Sequence, residues 1–164
     1  MKKIIIHWTA GTNFPCSQDL FAYHFLIDKN GKIYNGVYKP EDNENCYDGK
    51  YAKHCGGGNT GAIGVSLCGM TGFDLKNKKT NYPLTDIQCN SAFKFISQLC
   101  KQYNIDISDK TVLTHYEFGL SHPKTSSFGK IDIAFLPPYP HLKANEIGFF
   151  IRNCIKNYSE SPFT

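Results

Sequence analysis

Ile4-Ile5-Ile6-His7 stands near the start of the chain, and Thr111-Val112-Leu113-Thr114-His115 repeats its form late in it. Three branched apolar residues in a row predict a strand buried on both faces, which is how parallel strands read. The polar residues after the first run, Thr9, Gly11, Thr12 and Asn13, predict a loop. A histidine at the mouth of a buried strand is held rigidly and can face a cleft. If the two strands lie side by side, His7 and His115 converge, and two converging imidazoles are the beginning of a zinc site.

The 164 residues suit one compact domain spanning 1–164, and 41% hydrophobic with 14% aromatic content supports an ordinary core. The net charge of +4 is carried by scattered lysines, with Arg152 the only arginine. That distribution fits an anionic polymer as partner but lacks the clustered Lys and Arg of a nucleic-acid footprint. No run approaches the roughly 18 apolar residues of a membrane span. Met1-Lys2-Lys3 and three isoleucines lack the roughly 7–15-residue apolar stretch of an export signal. The chain is therefore expected to be cytoplasmic as synthesised. Seven cysteines without a C-x-x-C pair are expected as free thiols, with Cys68, Cys89 and Cys100 in the core.

Between the two histidine strands the pattern predicts a hairpin, Tyr23 to Asp28 and Lys32 to Gly36, around Asn30-Gly31. A long polar, glycine-rich connection over 37–61 follows, then a buried strand from Ala62 to Cys68. Thr85 with Gln88 three positions on marks a helix start, and Ala92, Ile96, Leu99, Cys100 and Tyr103 follow at helical spacing. A strand over 109–115, a loop over 116–142 and a closing helix over 144–158 complete the reading. This order predicts an α/β domain, a mixed central sheet with helices packed on it.

A catalytic zinc takes three protein ligands and leaves a fourth position for water. His7 and His115 are the best two candidates; His24, His54, His122 and His141 compete. The third is expected from a loop near His115, where Lys130-Ile131-Asp132 offers a carboxylate and a lysine. In an extended segment, residues i and i+2 share a face. Asp132 would bind metal, and Lys130 would stand where oxyanion charge develops.

Several blocks together resemble the zinc-dependent N-acetylmuramoyl-L-alanine amidases, the type shared with peptidoglycan recognition proteins and amidase-type phage lysozymes. In order they are IIIHWTAG, AYHFLIDKNGKIYNG, AKHCGGGNTGAIGVSLCG, TVLTHYEFG and GKIDI, spanning residues 3 to about 135. The resemblance implies a peptidoglycan recognition protein-like fold, a zinc cofactor and a peptidoglycan or muropeptide substrate, in a monomer. His7, His115 and Asp132 match the metal ligands, and Lys130 matches the lysine that supports the tetrahedral intermediate. Tyr23 matches a tyrosine near the metal-bound water; with an ordinary pKa of ~10 it is a poor base at neutral pH. His54 and Asn59 match groove positions that contact substrate, and Glu117 matches an acidic residue that often follows the second ligand histidine, either supporting that ligand or standing as a loop carboxylate. The resemblance leaves two homes open, a muropeptide-recycling enzyme and a phage-type lysin released by a separate pore.

The chain departs from that pattern in one place. Asp132 lies 17 residues beyond His115, a longer interval than is common. The extra loop holds a rival segment, Lys124-Thr125-Ser126, whose serine is a poor zinc ligand. Two other functions stand beside the amidase: a muropeptide-binding module that does not cut, and a zinc peptidase acting on the stem peptide.

Overall fold

The computed structural model describes residues 1–161. A five-stranded sheet is built from β1 (Lys3–Trp8), β2 (Phe25–Ile27), β3 (Ile33–Asn35), β4 (Ala62–Leu67) and β5 (Val112–Thr114). Their spatial order is β3-β2-β4-β1-β5. Strand β1 runs parallel to both β4 and β5, β2 runs parallel to β4, and only the β2–β3 hairpin is antiparallel. The sheet is thus mixed, as the order of elements predicts.

Alternation along the central strands gives each face its own work. Ile4, Ile6 and Trp8 with Ile63, Val65 and Leu67 enter the main core. There they meet α2 (Asp86–Gln102), through Ala92, Phe93 and Ile96, and α4 (Ala144–Glu160), through Ile147, Ile151 and Ile155. The opposite face buries Ile5, Ala62, Leu113, Cys55 and Phe118 in a smaller cluster. His7 belongs to that second face, since side chains two apart on a strand share a side.

Local chemistry sets the element ends. Thr85 Oγ accepts from Gln88 N–H at 3.2 Å, and Gln88 Oε1 accepts from Thr85 N–H at 3.1 Å, the reciprocal cap expected from the sequence. The Gln88 amide then donates to the carbonyls of Ile27 and Cys68, tying the helix start to β2 and β4. At the hairpin, Gly31 takes φ +84°, a conformation glycine adopts without steric cost. Burial pushes the thiols of Cys68 and Cys89 up to about 12, so they behave as small core residues. No helix among the described residues is long and apolar enough to cross a membrane.

Two expectations need correction. The stretch after His115 is not loop from its start: His115 begins α3 (His115–Ser121). Strand β5 therefore ends at Thr114, whose hydroxyl caps the helix by accepting from Glu117 N–H at 3.1 Å. Capping chemistry at Thr114 competes with extension of the strand, and the Thr-x-x-Glu spacing wins locally. The hairpin is also shorter than expected; Tyr23 is the C-terminal cap of α1 (Ser17–Ala22) and not a strand residue.

Candidate active site

The sheet register brings the two histidines together. Ile4 pairs with Val112 and Ile6 with Thr114, so His7 and His115 occupy adjacent C-terminal ends of parallel strands. That end is where open α/β sheets bind ligands. A cavity of about 650 Å³ lies there, and Tyr23, His54, Asn59, His115, Lys130 and Asp132 line it.

His7 is fully buried, and His115 and Asp132 are nearly so. Their polar atoms form a tight triangle. His7 Nδ1 lies 3.1 Å from His115 Nδ1 and 3.0 Å from Asp132 Oδ2, and His115 Nδ1 lies 2.8 Å from the same oxygen. A tetrahedral zinc with bonds of about 2.05 Å separates its ligand atoms by about 3.3 Å. The triangle thus matches the size of a zinc site to within about half an ångström, its edges slightly short.

Charge points the same way. Burial pushes His7 down to about 4, so it is neutral at pH 7. Burial also opposes protonation of His115, but hydrogen bonding to Asp132, with Cys55 adding, outweighs it and raises His115 to about 9. Asp132 is held far below the usual carboxylate range, because hydrogen bonds from His115 and His7 outweigh its burial. One proton on His115 satisfies the His115–Asp132 edge, and whether His7 Nδ1 donates to that oxygen or meets it with a lone pair is set by what its other nitrogen contacts. A divalent cation at the centre would satisfy all three, so the residues present fit a metal.

The loop carrying Asp132 is aimed by a constrained turn. Ile133 has φ +65°, a left-handed conformation rare for a β-branched residue and costing of order 1–3 kcal/mol. The Asp132 carbonyl accepts from Tyr116 N–H at 3.3 Å, which ties the turn to α3. Lys130 is exposed and lines the cavity two residues before Asp132, where the chain turns and is not the extended segment that the i, i+2 reading assumed.

The other expected residues are placed differently from one another. The Tyr23 ring lies 5.2 Å from His7, and burial followed by the Asp132 charge raises its hydroxyl well above 10. Asn59 is half-buried; its Oδ1 accepts from Cys55 N–H at 2.8 Å, shaping the turn at the cavity wall. His54 is largely buried, with its Nδ1 3.0 Å from His7 Nε2. Gly64 makes room for that ring, since a Cβ there would lie 2.5 Å from His54 Cγ. Glu117 does not touch the triangle. It caps α3 by accepting from Thr114 N–H, and pairs with both Arg152 guanidinium nitrogens at 2.9 and 3.0 Å. It therefore holds the helix on which His115 sits. Of the competing histidines, His24 accepts from Gly64 N–H and donates to Asn43, a structural role.

Ser127 is the residue the sequence reading did not single out. It is fully buried, and its hydroxyl lies 3.0 Å from His115 Nε2. Nothing in its Ser-rich neighbourhood distinguishes it from Ser126, which lines the cavity but is not among the hydrogen-bond partners of the triangle.

The family model for N-acetylmuramoyl-L-alanine amidase matches residues 1–129. The chain belongs to the N-acetylmuramoyl-L-alanine amidase family. It is an amide hydrolase acting on peptidoglycan. The matched span contains both histidines and stops just before Lys130, so the case for the third ligand of this amidase stands on the triangle itself. Among solved structures, the PlyG catalytic domain is 21% identical over 99% of this chain and 88% of that one, with a TM-score of 0.52. PlyL is 21% identical over 93% of this chain and 82% of that one, with a TM-score of 0.50. The N-acetylmuramoyl-L-alanine amidase LysC from Clostridium intestinale URNW is 22% identical over 70% and 69%, with a TM-score of 0.47. No curated protein sequence matches the amidase significantly.

Proposed function

We propose that this amidase holds one zinc ion on His7 Nδ1, His115 Nδ1 and Asp132 Oδ2, and cleaves the amide between the lactyl group of N-acetylmuramic acid and L-alanine of the stem peptide. The observation that carries the reading is the triangle of converging lone pairs on the cavity floor, beside Lys130. When bound, zinc supplies a Lewis acid and lowers the pKa of water to about 7. The residues around it divide the remaining work. Lys130 places a positive charge at the rim, where the amide oxygen gains charge as the carbonyl is attacked. Tyr23 keeps its proton at neutral pH, so it orients water or donates a hydrogen bond and does not act as a base. Asn59 contributes to the wall against which the muropeptide lies. The cavity has the size of an ordinary small-molecule site, enough for one muramyl group with its first amino acids. Residues 1–164 act as one catalytic domain in this reading.

Mass spectrometry of digested peptidoglycan tests it. Stem peptides with a free N-terminal L-alanine and glycan strands with free lactyl carboxylates are expected. Shortened stems would assign a peptidase instead, and retention of intact muropeptide without products would assign a binding module.

The charge state of the triangle sets the pH dependence of metal uptake. His115 carries a proton below about 9 and must lose it to offer Nδ1, whereas His7 is already neutral and Asp132 already ionised at pH 7. Zinc binding at pH 7 should therefore release about one proton from these three side chains. Apparent affinity should rise by up to about tenfold per pH unit from 7 toward 9 and then level off. Calorimetry in buffers of different ionisation enthalpy measures the release. A pH-independent affinity over that range would contradict it.

A further inference from the structure

We propose that His54 and Ser127 are positioning residues that lock both ligand histidines in the tautomer protonated at Nε2, and that His54 acts through His7 and not on the substrate. The inference rests on the metal reading above and assigns how the ligand set is oriented. His54 Nε2 lies 3.2 Å from the Ala62 carbonyl. A carbonyl only accepts, so Nε2 carries the proton. Among the described residues no carboxylate contacts this buried ring, so it is neutral, and its Nδ1 is an acceptor. His7 Nε2 lies 3.0 Å from that acceptor and must donate to it, which leaves the His7 Nδ1 lone pair facing Asp132. The donor sequence runs from His7 to His54 to Ala62 without a free choice at any step.

The second histidine is set by an independent chain of the same kind. Ser127 Oγ lies 2.7 Å from the Gly56 carbonyl, so its hydroxyl proton points there. Its lone pair then faces His115 Nε2 at 3.0 Å, which must donate, so the proton that His115 gives up to a metal is the one on Nδ1, beside Asp132. One chain ends on the Gly56 carbonyl, in the glycine-rich connection that precedes β4, and the other on the carbonyl of Ala62, the first residue of β4. The imidazoles of His7, on β1, and His115, at the start of α3, thus take their orientation from carbonyls only six residues apart in the chain. Histidine ligands are commonly fixed through their second nitrogen, and loss of such a partner costs about 10–100-fold in metal affinity. A substrate role for His54 fits poorly, because both of its nitrogens are committed inside the protein.

The test compares His54→Ala, His54→Asn and Ser127→Ala with the wild-type amidase. Zinc affinity is read by competition with a chromophoric chelator, folding of the metal-free proteins by circular dichroism, and tautomers by two-bond nitrogen–proton NMR of the zinc-loaded protein. His54→Ala and Ser127→Ala should each weaken zinc by about 10–100-fold. His54→Asn, whose Oδ1 takes the place of Nδ1 as acceptor, should recover part of the loss. The wild-type spectrum should show His7 and His115 both protonated at Nε2, a reading that holds even if a variant fails to fold. Wild-type zinc affinity in both alanine variants, or a raised KM alone in His54→Ala, would overturn the inference while leaving the metal site standing. A wild-type protein that takes up no zinc would remove the metal reading itself and this inference with it.

Discussion

Asp132→Ala is expected to lose its zinc and its amidase activity, while Ser126→Ala keeps both. A four-ligand protein zinc site supplies roughly 12 kcal/mol, so one ligand is worth about 3 kcal/mol, or more than a hundredfold in affinity. The loss is deepened here because Asp132 is the only anion in the triangle and sits within 3.0 Å of both imidazoles. Without it, two neutral nitrogens face a dication in a buried site. Metal content after dialysis, measured on the two variants side by side, decides the matter. Retained zinc in Asp132→Ala and lost zinc in Ser126→Ala would move the third ligand to the rival segment. The geometry opposes that outcome, since Ser126 belongs to the cavity wall beside Gly56 and not to the triangle.

Lys130→Ala is expected to bind zinc as the wild type does and to turn over about a hundredfold more slowly. Removing one group that stabilises an oxyanion costs about 10²–10³ in kcat when the site is closed to water. Lys130 is exposed at the rim, so screening places it at the lower end until substrate covers it. Zinc content and steady-state kinetics on a muropeptide separate the possibilities. A raised KM with unchanged kcat would make Lys130 a binding residue. No change in either would reduce it to a solvated surface charge.

Both predictions depend on residues whose types and order were readable before any coordinates. Ile4 to His7, the Asn30-Gly31 hairpin and the Thr85–Gln88 cap are local signals, and each is decided by residues within a few positions of one another. The main boundary missed, His115 as the first residue of α3, arose where an apolar strand pattern and a Thr-x-x-Glu cap overlap on one residue. Periodicity favours the strand up to Thr114, and the hydrogen bonds of the cap end it there.

The linear chain by itself determined the mixed α/β class, because strand burial, helix capping and turn formation are short-range and leave marks at fixed spacings, and its five ordered blocks carried the resemblance to the family. Only the tertiary structure decided which lone pairs meet. The 3.0 Å contact of His54 with His7, the contact of Ser127 with His115 and the pairing of Glu117 on α3 with Arg152 on α4 join segments that no period connects. The reason is physical: a hydrogen bond depends on direction and a few tenths of an ångström, and those are set when distant strands pack into one sheet.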